Sequence, residues 1–459
     1  MSSDLSVTLH DSNFDKIISW IETHIGGKVG NVQRQARWRP IYFVDVDMGA
    51  GEILKLCVRG ERADVPLVFP LKHEMLVQKL MYEHGIRVPK VYGWSDNPCC
   101  YIMERVEGVP HFEGVSLEQR RAVMRDYMKL LADLHKLPVP PFKDAGVMHA
   151  ENPAEAHLYG AQRFEQHLYR QTKKRPDPFL EFVLGWIRRH PPKTTSREAL
   201  ITWDSGQFHQ QDGRLVAMID VELGHIGDPM MDLAAFRMRD TVLGFGDFNE
   251  LYAWYEEFSE QPVDMEAIKY HHLFFTLSNA LSFHTALAAP NLQSDYMTNL
   301  QWVNETNRFA LEALAEYLDI DLPEIQMPQI ETTAAAIPFE HMVQSLRRIE
   351  SESAANPNVQ HEIRVMFRMA RHLQRWDQVG RAMIEADLDD MQKLLGYRPA
   401  DWQAGEAALE KFVLADDGRH DLELIDLFNR KLQRAQSLNG PVGSAMARHN
   451  PIQRFDGKK

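Results

Sequence analysis

The sequence predicts an α+β protein with an additional all-helical region toward its C-terminal end. Runs of β-forming residues with hairpin signals occupy the first hundred residues, and helical periodicity dominates from about residue 116 onward. We therefore predict a β-rich N-terminal lobe at 1–106, a mostly helical C-terminal lobe at 107–325, and a helical extension and tail at 326–459. The proline-rich stretch DLPEIQMPQIETTAAAIP (321–338) is typical of the linker before that extension.

The N-terminal lobe is predicted from an alternation of helices and strands. A first helix carries apolar residues from Phe14 to Ile25 on one face, and two β-rich runs, IYFVDVDM (41–48) and EILKLCVRG (52–60), follow it around a Gly-Ala-Gly turn. LKHEMLVQKLMYEHGI (71–86) has the pattern of an amphipathic helix ending at a glycine. VPKVYGW and CCYIMERVEG then predict two more strands.

Composition limits the class of protein and its surroundings. The chain of 459 residues is 44% hydrophobic and 25% charged, which is typical of a globular protein. A net charge of -14 disfavours nucleic acid or an anionic membrane as a partner. The three cysteines fit neither a zinc site nor a disulfide framework, and the first residues lack the pattern of a secretory signal. We expect a cytoplasmic protein with no membrane span.

The segment 199–222 is predicted to be a β-hairpin with an acid at each end. Asp212-Gly213 is a preferred two-residue turn, so antiparallel pairing brings Asp204 and Asp220 near each other. Two adjacent carboxylates repel unless a divalent cation, an arginine or a shared proton compensates. The layout suits phosphoryl transfer, in which one acid binds Mg²⁺ and the other orients and deprotonates a hydroxyl.

The hairpin and the following VELGHIGDPMMDLAAF (221–236) resemble the aminoglycoside-phosphotransferase-like (choline-kinase-like) small-molecule kinases. Those proteins read H-G-D, a later Asn, a hairpin, a D-W/F-E motif, then G-D-P and D-L-A. The resemblance implies a protein-kinase-like two-lobe fold, with ATP and Mg²⁺ as cofactors. It further implies that Asp204 is the catalytic base, Asp220 a metal ligand and Asp232 a structural acid.

The same resemblance implies a nucleotide site in the N-terminal lobe. Arg59 in VRG corresponds to the position at which the related kinases carry a cation that contacts phosphate. Glu74 on the next helix corresponds to the residue that pairs with that cation. YIMERVEGVP (101–110) falls on the hinge, where the backbone from Glu104 to Val106 would bind adenine. A purely structural Arg59–Glu74 ion pair is the alternative interpretation.

Three departures from the family pattern affect the site. The H-G-D motif is replaced by Thr-Trp-Asp at 202–204, so the supporting histidine is missing. His209 stands in place of the Asn that is normally the second metal ligand. Because neutral imidazole is a poor ligand for Mg²⁺, Gln207 is the other candidate ligand. The predicted metal set is therefore Asp220 with Gln207 or His209.

The third departure is a nucleotide loop without glycines. VQRQARWRPIYFVD (32–45) offers Arg34, Arg37 and Arg39 instead. Arginine side chains bind phosphate oxygens in a bidentate manner, and we include Arg37 in the predicted cofactor site. A solvated basic strand edge is the alternative. Glu222 is either a metal neighbour or a surface residue, and His225 is expected to be structural.

These observations predict an ATP-dependent phosphotransferase that moves the γ-phosphate to a hydroxyl of a small molecule. The motif D-S-G-Q-F (204–208) resembles that of a branch of this family that includes kinases of hydroxylated aromatics, such as hydroxyaryl ketones. An aminoglycoside or a choline-like amino alcohol is the alternative acceptor. A pseudokinase-like or partner-dependent nucleotide-binding subunit is the alternative function, and the C-terminal helices could bind a second copy or a second subunit.

Overall fold

A computed structural model describes residues 9–35, 39–61, 66–192, 197–291, 294–353, 357–439 and 450–453. Contacts between Cα atoms divide the chain into two compact units. Unit 1 comprises Met1–Leu168, Thr194–His271 and Gln453–Lys459, and unit 2 comprises Tyr169–Lys193 and His272–Ile452. The three-part division at residues 106 and 325 stays a prediction.

Unit 1 begins with a helix and a five-stranded antiparallel sheet in the order β1-β2-β3-β5-β4. The elements in chain order are α1 (Asp15–His24), β1 (Lys28–Arg34), β2 (Ile41–Gly49), β3 (Glu52–Gly60), α2 (Leu71–Glu83), β4 (Val91–Asp96) and β5 (Cys99–Glu104). The helices and strands predicted for this region are all present. A short 3₁₀ turn, Asp11–Asn13, precedes α1.

One face of this sheet packs against the apolar side of α1. Ile17 and Ile21 of the helix join a buried cluster with alternate residues of the strands, among them Val44, Leu56 and Ile102. Alternation is required because successive strand side chains point to opposite faces. The sheet is thereby covered on one side, and its register places Arg59 opposite Tyr101 on the neighbouring strand β5.

The remainder of unit 1 is a helical core with two small antiparallel ribbons. Its longer helices are α3 (Leu117–His135), α8 (Pro229–Leu243) and α9 (Phe248–Ser259), and shorter ones are α4 (Pro140–Asp144) and α5 (Ala156–Gln162). The ribbons pair β6 (Ala199–Ile201) with β9 (His225–Gly227), and β7 (Phe208–Gln211) with β8 (Arg214–Met218). The predicted hairpin is therefore confirmed.

Unit 2 is helical throughout its described part. A π-helical turn (Arg163–Tyr169) and α6 (Arg170–Thr172) lie where the chain passes from unit 1 into unit 2 at Tyr169. Helix α10 (Met265–Ala288) spans the later division between the units at His271 and His272. The other helices are α7 (Pro178–Arg189), α11 (Tyr296–Leu318), α12 (Ala336–Glu352), α13 (Pro357–Leu395), α14 (Trp402–Ala415) and α15 (Asp421–Ser437). The helical extension predicted after the linker is confirmed by α12 to α15.

Near the C-terminal end of the described residues, Gln453 forms several hydrogen bonds with other residues of unit 1. The side chain and backbone carbonyl of Gln453 bond to unit 1 between α8 and α9, with partners that include Arg237 and Asp240. In the same described ranges, no helix is long and apolar enough to cross a membrane.

Candidate active site

The β7–β8 hairpin places Asp204 and Asp220 at its open end. Asp212 and Gly213 adopt positive φ angles of 52° and 75°, as a tight hairpin turn requires. At the other end, the amide of Ile219 donates to the carbonyl of Gln207 at 3.0 Å. Asp220 itself has a φ of 60°, an uncommon conformation for a residue other than glycine, and such strain is frequent at functional sites.

A buried arginine joins the sheet to the hairpin. The Nε atom of Arg59 lies 2.7 Å from Oε1 of Glu74, and its Nη2 donates to Oδ1 of Asp220. Tyr101 adds a hydrogen bond of 3.0 Å from its hydroxyl to Oε1 of Glu74. The pairing predicted for Arg59 and Glu74 is thus present, and Arg59 contacts the predicted metal ligand as well.

A second arginine reaches the same cluster. Nη2 of Arg39 lies 2.7 Å from Oε2 of Glu222, and its Nη1 lies 3.6 Å from Oε2 of Glu74. Arg39 is almost fully buried, so the interpretation as a solvated strand edge does not hold for this residue. Arg34 instead pairs with Asp11 on the surface, and Arg37 lies outside the described residues.

The charges of this cluster control the ionisation of Asp220. Burial opposes its charged form, but the guanidinium groups of Arg59 and Arg39 outweigh burial and lower the pKa of Asp220 below its ordinary value. Burial raises the pKa of Glu74, against the lowering effect of the same arginines. Asp220 is therefore maintained as a carboxylate, the form that binds a cation.

The donor set fits a magnesium ion that is shared with phosphate. Asp220 and Glu222 are hard oxygen donors with partly exposed side chains. In the described ranges, no group of three or more His, Cys, Asp or Glu residues could hold a metal by itself. This agrees with the usual behaviour of Mg²⁺, which binds one or two carboxylates and takes its other ligands from phosphates and water.

The catalytic acid predicted at Asp204 is held by an arginine from α8. Nε of Arg239 donates to Oδ1 of Asp204 at 2.7 Å, and Nη2 donates to Oδ2 at 2.5 Å. Burial raises the pKa of Asp204 to about 6, although the charge of Arg239 acts in the opposite direction. Arg239 is not predicted from the sequence, because an arginine in FRMRD has the same pattern as a solvated residue on a helix.

Thr202 occupies the position of the missing family histidine and supports the loop in a different way. Its backbone amide and its hydroxyl both donate to the carboxylate of Asp232, each at 3.0 Å. His135 at the end of α3 contacts the same carboxylate at 3.0 Å through Nε2 and the hydroxyl of Tyr255 at 2.7 Å through Nδ1. Asp232 is fully buried, so the structural role implied for it is consistent with these contacts.

The two alternative metal ligands make other contacts. Nε2 of Gln207 donates to Oδ2 of Asp204 at 2.8 Å. Nδ1 of His209 lies 3.2 Å from the carbonyl of Glu107 in the hinge. The metal-binding roles of Gln207 and His209 stay predictions.

The hinge offers a backbone donor for a base. The amide of Glu104 donates to the carbonyl of Lys90 at 2.8 Å, and that of Arg105 donates to Lys55 at 3.1 Å. In the described part of the chain, the amide of Val106 has no such partner, so it is the hinge donor that adenine could use. A separate cavity of about 680 Å³ beside the hinge is lined by α2, the hinge and β8, without Asp204 or Asp220.

Two histidines near the loop are buried as neutral groups, in agreement with a structural role for His225. Nδ1 of His225 contacts the carbonyl of Leu223 at 2.8 Å, and the amide of Met148 donates to Nε2 of His73 at 3.0 Å. Both rings stack on Phe69. Burial lowers the pKa of each histidine to about 4.

A helix-backed antiparallel sheet, a buried Arg–Glu pair and a hairpin flanked by two aspartates define a phosphotransferase with a kinase-like fold. The chain belongs to the phosphotransferase enzyme family (APH), whose model matches residues 42–277, just over half of the chain. Membership confirms the family predicted from the sequence and supports ATP with Mg²⁺ as cofactors.

Similar proteins include curated relatives that are much longer. The chain is 28% identical over 196 residues to acyl-CoA dehydrogenase family member 11 of Pongo abelii, covering 38% of this chain and 23% of that protein. It is 27% identical over 217 residues to the probable acyl-CoA dehydrogenase IBR3 of Arabidopsis thaliana, covering 42% of this chain and 26% of that protein. The matched regions span about a quarter of these relatives.

A solved structure supports the fold over a larger part of the chain. The crystal structure of a putative aminoglycoside phosphotransferase from Ralstonia eutropha superposes with a TM-score of 0.51 at 17% identity. The match covers 66% of this chain and 98% of the other. The predicted kinase-like fold is therefore confirmed.

Proposed function

We propose that the protein is an ATP-dependent phosphotransferase that transfers the γ-phosphate to a hydroxyl group of a small molecule. The observation that carries this proposal is the placement of the two acids. Asp220 contacts the buried Arg59–Glu74 pair on the nucleotide side, and Asp204 lies in the loop that leads into β7, the other strand of the same hairpin. In phosphoryl transfer, positioning and charge stabilisation of this kind supply most of the catalysis.

Each residue has a role that follows from its position. Asp220, with Glu222 beside it, would hold Mg²⁺, which neutralises phosphate charge when bound. Arg59 would turn part of its guanidinium toward the phosphates, while its Nε contact with Glu74 keeps the side chain in place. Asp204 would accept the hydrogen bond of the acceptor hydroxyl and take its proton. The amide of Val106 would bind the adenine edge.

The acceptor is proposed to be an aromatic or other uncharged hydroxyl compound, with hydroxyaryl ketone-like aromatics as the first class to test. The resemblance of DSGQF (204–208) to the branch that includes kinases of hydroxylated aromatics supports this choice. An aminoglycoside or a choline-like amino alcohol is the less favoured alternative. The names of the curated relatives add hydroxylated acyl thioesters to the panel.

A nucleotide-binding subunit without transfer activity is the second candidate function. It is supported by the ion pairs that already compensate both acids, Asp204 with Arg239 and Asp220 with Arg59. Such a subunit would act with a partner, either a second copy of this chain or another protein, bound through the helices beyond residue 326. A cytoplasmic location remains part of the proposal in both cases.

The proposal is tested by ADP release with a panel of hydroxyl compounds, using wild type, Asp204→Asn and the control Asp212→Asn. Asp212 is an exposed turn residue with a positive φ that asparagine tolerates, so its variant should behave as wild type. Asp204→Asn should lower kcat by about 100-fold or more while Mg-ATP binding is retained. Turnover at the wild-type rate in Asp204→Asn would contradict the assignment of the base.

A further inference from the structure

We propose that Arg239 is a positioning residue that holds the carboxylate of Asp204 in its reactive orientation. This inference rests on the proposed function and deepens it, because it assigns a second residue to the acceptor side of the site. The contact between the two residues is a tertiary one, because Arg239 lies on α8, 35 positions after Asp204.

The geometry is that of a bidentate pair. Nε of Arg239 donates to Oδ1 of Asp204 at 2.7 Å, and Nη2 donates to Oδ2 at 2.5 Å. The side chains are 22% and 14% exposed, so water competes weakly for these bonds. A planar guanidinium with two parallel bonds fixes both the position and the plane of a carboxylate, which a single contact cannot do.

The segment Asp204–Phe208 is built around this pair. The amide of Gly206 donates to the hydroxyl of Tyr127 at 2.6 Å. A Cβ atom on Gly206 would lie 3.2 Å from Cδ of Arg239 and 3.1 Å from the ring of Phe245, and φ at this residue is 95°. Glycine therefore provides both the backbone conformation and the space through which the stem of Arg239 passes.

Helix α8 also anchors the residues on the other side of Asp204. Asp232, two turns before Arg239 on this helix, accepts two hydrogen bonds from Thr202, and its backbone carbonyl accepts the hydroxyl of Ser205. Helix α8 thus binds the backbone segment on both sides of Asp204 through Asp232, and binds the carboxylate of Asp204 through Arg239. Arg239 supplies part of the support that the histidine of the H-G-D motif would give.

The hydrogen bonds distinguish the two oxygens of Asp204. In the part of the chain that the structure describes, Oδ2 accepts from Arg239 and from Nε2 of Gln207, whereas Oδ1 accepts from Arg239 alone. A carboxylate oxygen accepts about two hydrogen bonds in its plane. Oδ1 is therefore the oxygen that receives the acceptor hydroxyl, and Arg239 leaves that position accessible while it fixes the plane.

The first experiment compares steady-state kinetics of wild type, Arg239→Ala, Arg239→Lys and the control Arg125→Gln, with the best acceptor from the panel. Arg125 is a half-exposed arginine that pairs with Glu257 on the surface of the same unit. Arg239→Ala should lower kcat by about 100-fold, the order expected for a misplaced reactive group, with KM for ATP within about two-fold of wild type. Arg239→Lys should recover only a part of kcat, and millimolar guanidinium should raise the activity of Arg239→Ala.

The positioning role would be overturned if Arg239→Lys and Arg239→Ala lost kcat equally, both variants had lower thermal stability, and guanidinium restored no activity. Wild-type kcat in Arg239→Ala would also overturn it. The second experiment does not depend on turnover: crystal structures of wild type and Arg239→Ala are compared at Asp204. A carboxylate rotated or displaced by more than about 0.5 Å supports the role, and an unchanged carboxylate refutes it. If wild type phosphorylates nothing in the panel, the proposed function fails, and this comparison still decides the role of Arg239.

Discussion

Replacement of Thr202 by valine should destabilise the protein through one hydrogen bond to a buried carboxylate. The hydroxyl of Thr202 donates to Oδ1 of Asp232 at 3.0 Å, and both residues are buried. Valine has nearly the same shape, so the substitution removes the donor without opening a cavity. The backbone amide of Thr202 and the ring of His135 still contact Oδ2, but Oδ1 loses its hydroxyl donor in the described contacts.

The magnitude follows from the charge of the acceptor. A hydrogen bond to a charged group contributes about 1.5–3 kcal/mol, compared with about 0.5–1.5 kcal/mol for a neutral one. Thr306→Val is the matched control, because its hydroxyl is equally buried but donates to a backbone carbonyl, that of Trp302 at 2.8 Å. Thr202→Val should therefore lower the free energy of unfolding by about 1–2 kcal/mol more than Thr306→Val.

Urea unfolding of the three proteins, followed by circular dichroism, measures this difference. Thr202→Val should also lower kcat, because Thr202 holds the backbone two residues before Asp204, whereas Thr306→Val should leave kcat unchanged. Equal destabilisation by the two substitutions, with kcat retained in both, would refute the role that we assign to Thr202 in place of the family histidine.

Two further predictions concern stability away from the reacting groups. Burial lowers the pKa of His73 and His225 to about 4 from the ordinary value of 6.5, so the unfolded chain binds more protons between these values. Their contribution to stability is complete above pH 6.5 and is lost as the pH falls toward 4, by about 2 kcal/mol for each histidine at pH 5. The urea midpoint should therefore fall between pH 7 and pH 5, and His225→Gln should make the fall shallower; an equally steep fall in that variant would count against the buried neutral ring. Gln453 donates to Asp240 and Gly246 and accepts from Phe248, so Gln453→Ala should lower the free energy of unfolding by about 1–3 kcal/mol, whereas Gln344→Ala on the surface should not change the melting temperature.

Local patterns explain why the hairpin and its acids could be predicted. Asp212-Gly213 determines a tight turn, and antiparallel pairing then brings the two ends together whatever the rest of the chain does. The Arg59–Glu74 pair was predicted by resemblance, and the structure adds that Arg59 also reaches Asp220. These features depend on short segments or on a motif, both of which are visible in one sequence.

The supporting contacts could not be predicted, because they depend on tertiary packing. Arg239 and Thr202 reach Asp204 and Asp232 only through the position of α8 beside the loop, and nothing in their local sequence marks them. The sequence offers Arg39 either as a phosphate-binding residue or as part of a solvated strand edge, and neither interpretation predicts that it is buried beside Glu74 and Glu222. Placement of a polar side chain inside the fold depends on partners that are far away in the sequence.

Calorimetric titration of Mg-ATP into wild type and Asp220→Asn tests whether this site binds nucleotide through a magnesium ion on Asp220. Wild type should bind ATP in the presence of Mg²⁺ and more weakly without it, and Asp220→Asn should lose this dependence on the ion. The loss follows because an amide cannot supply the negative charge that Asp220 maintains beside Arg59. Binding of equal strength in both proteins, with the same response to Mg²⁺, would show that Asp220 does not bind the metal.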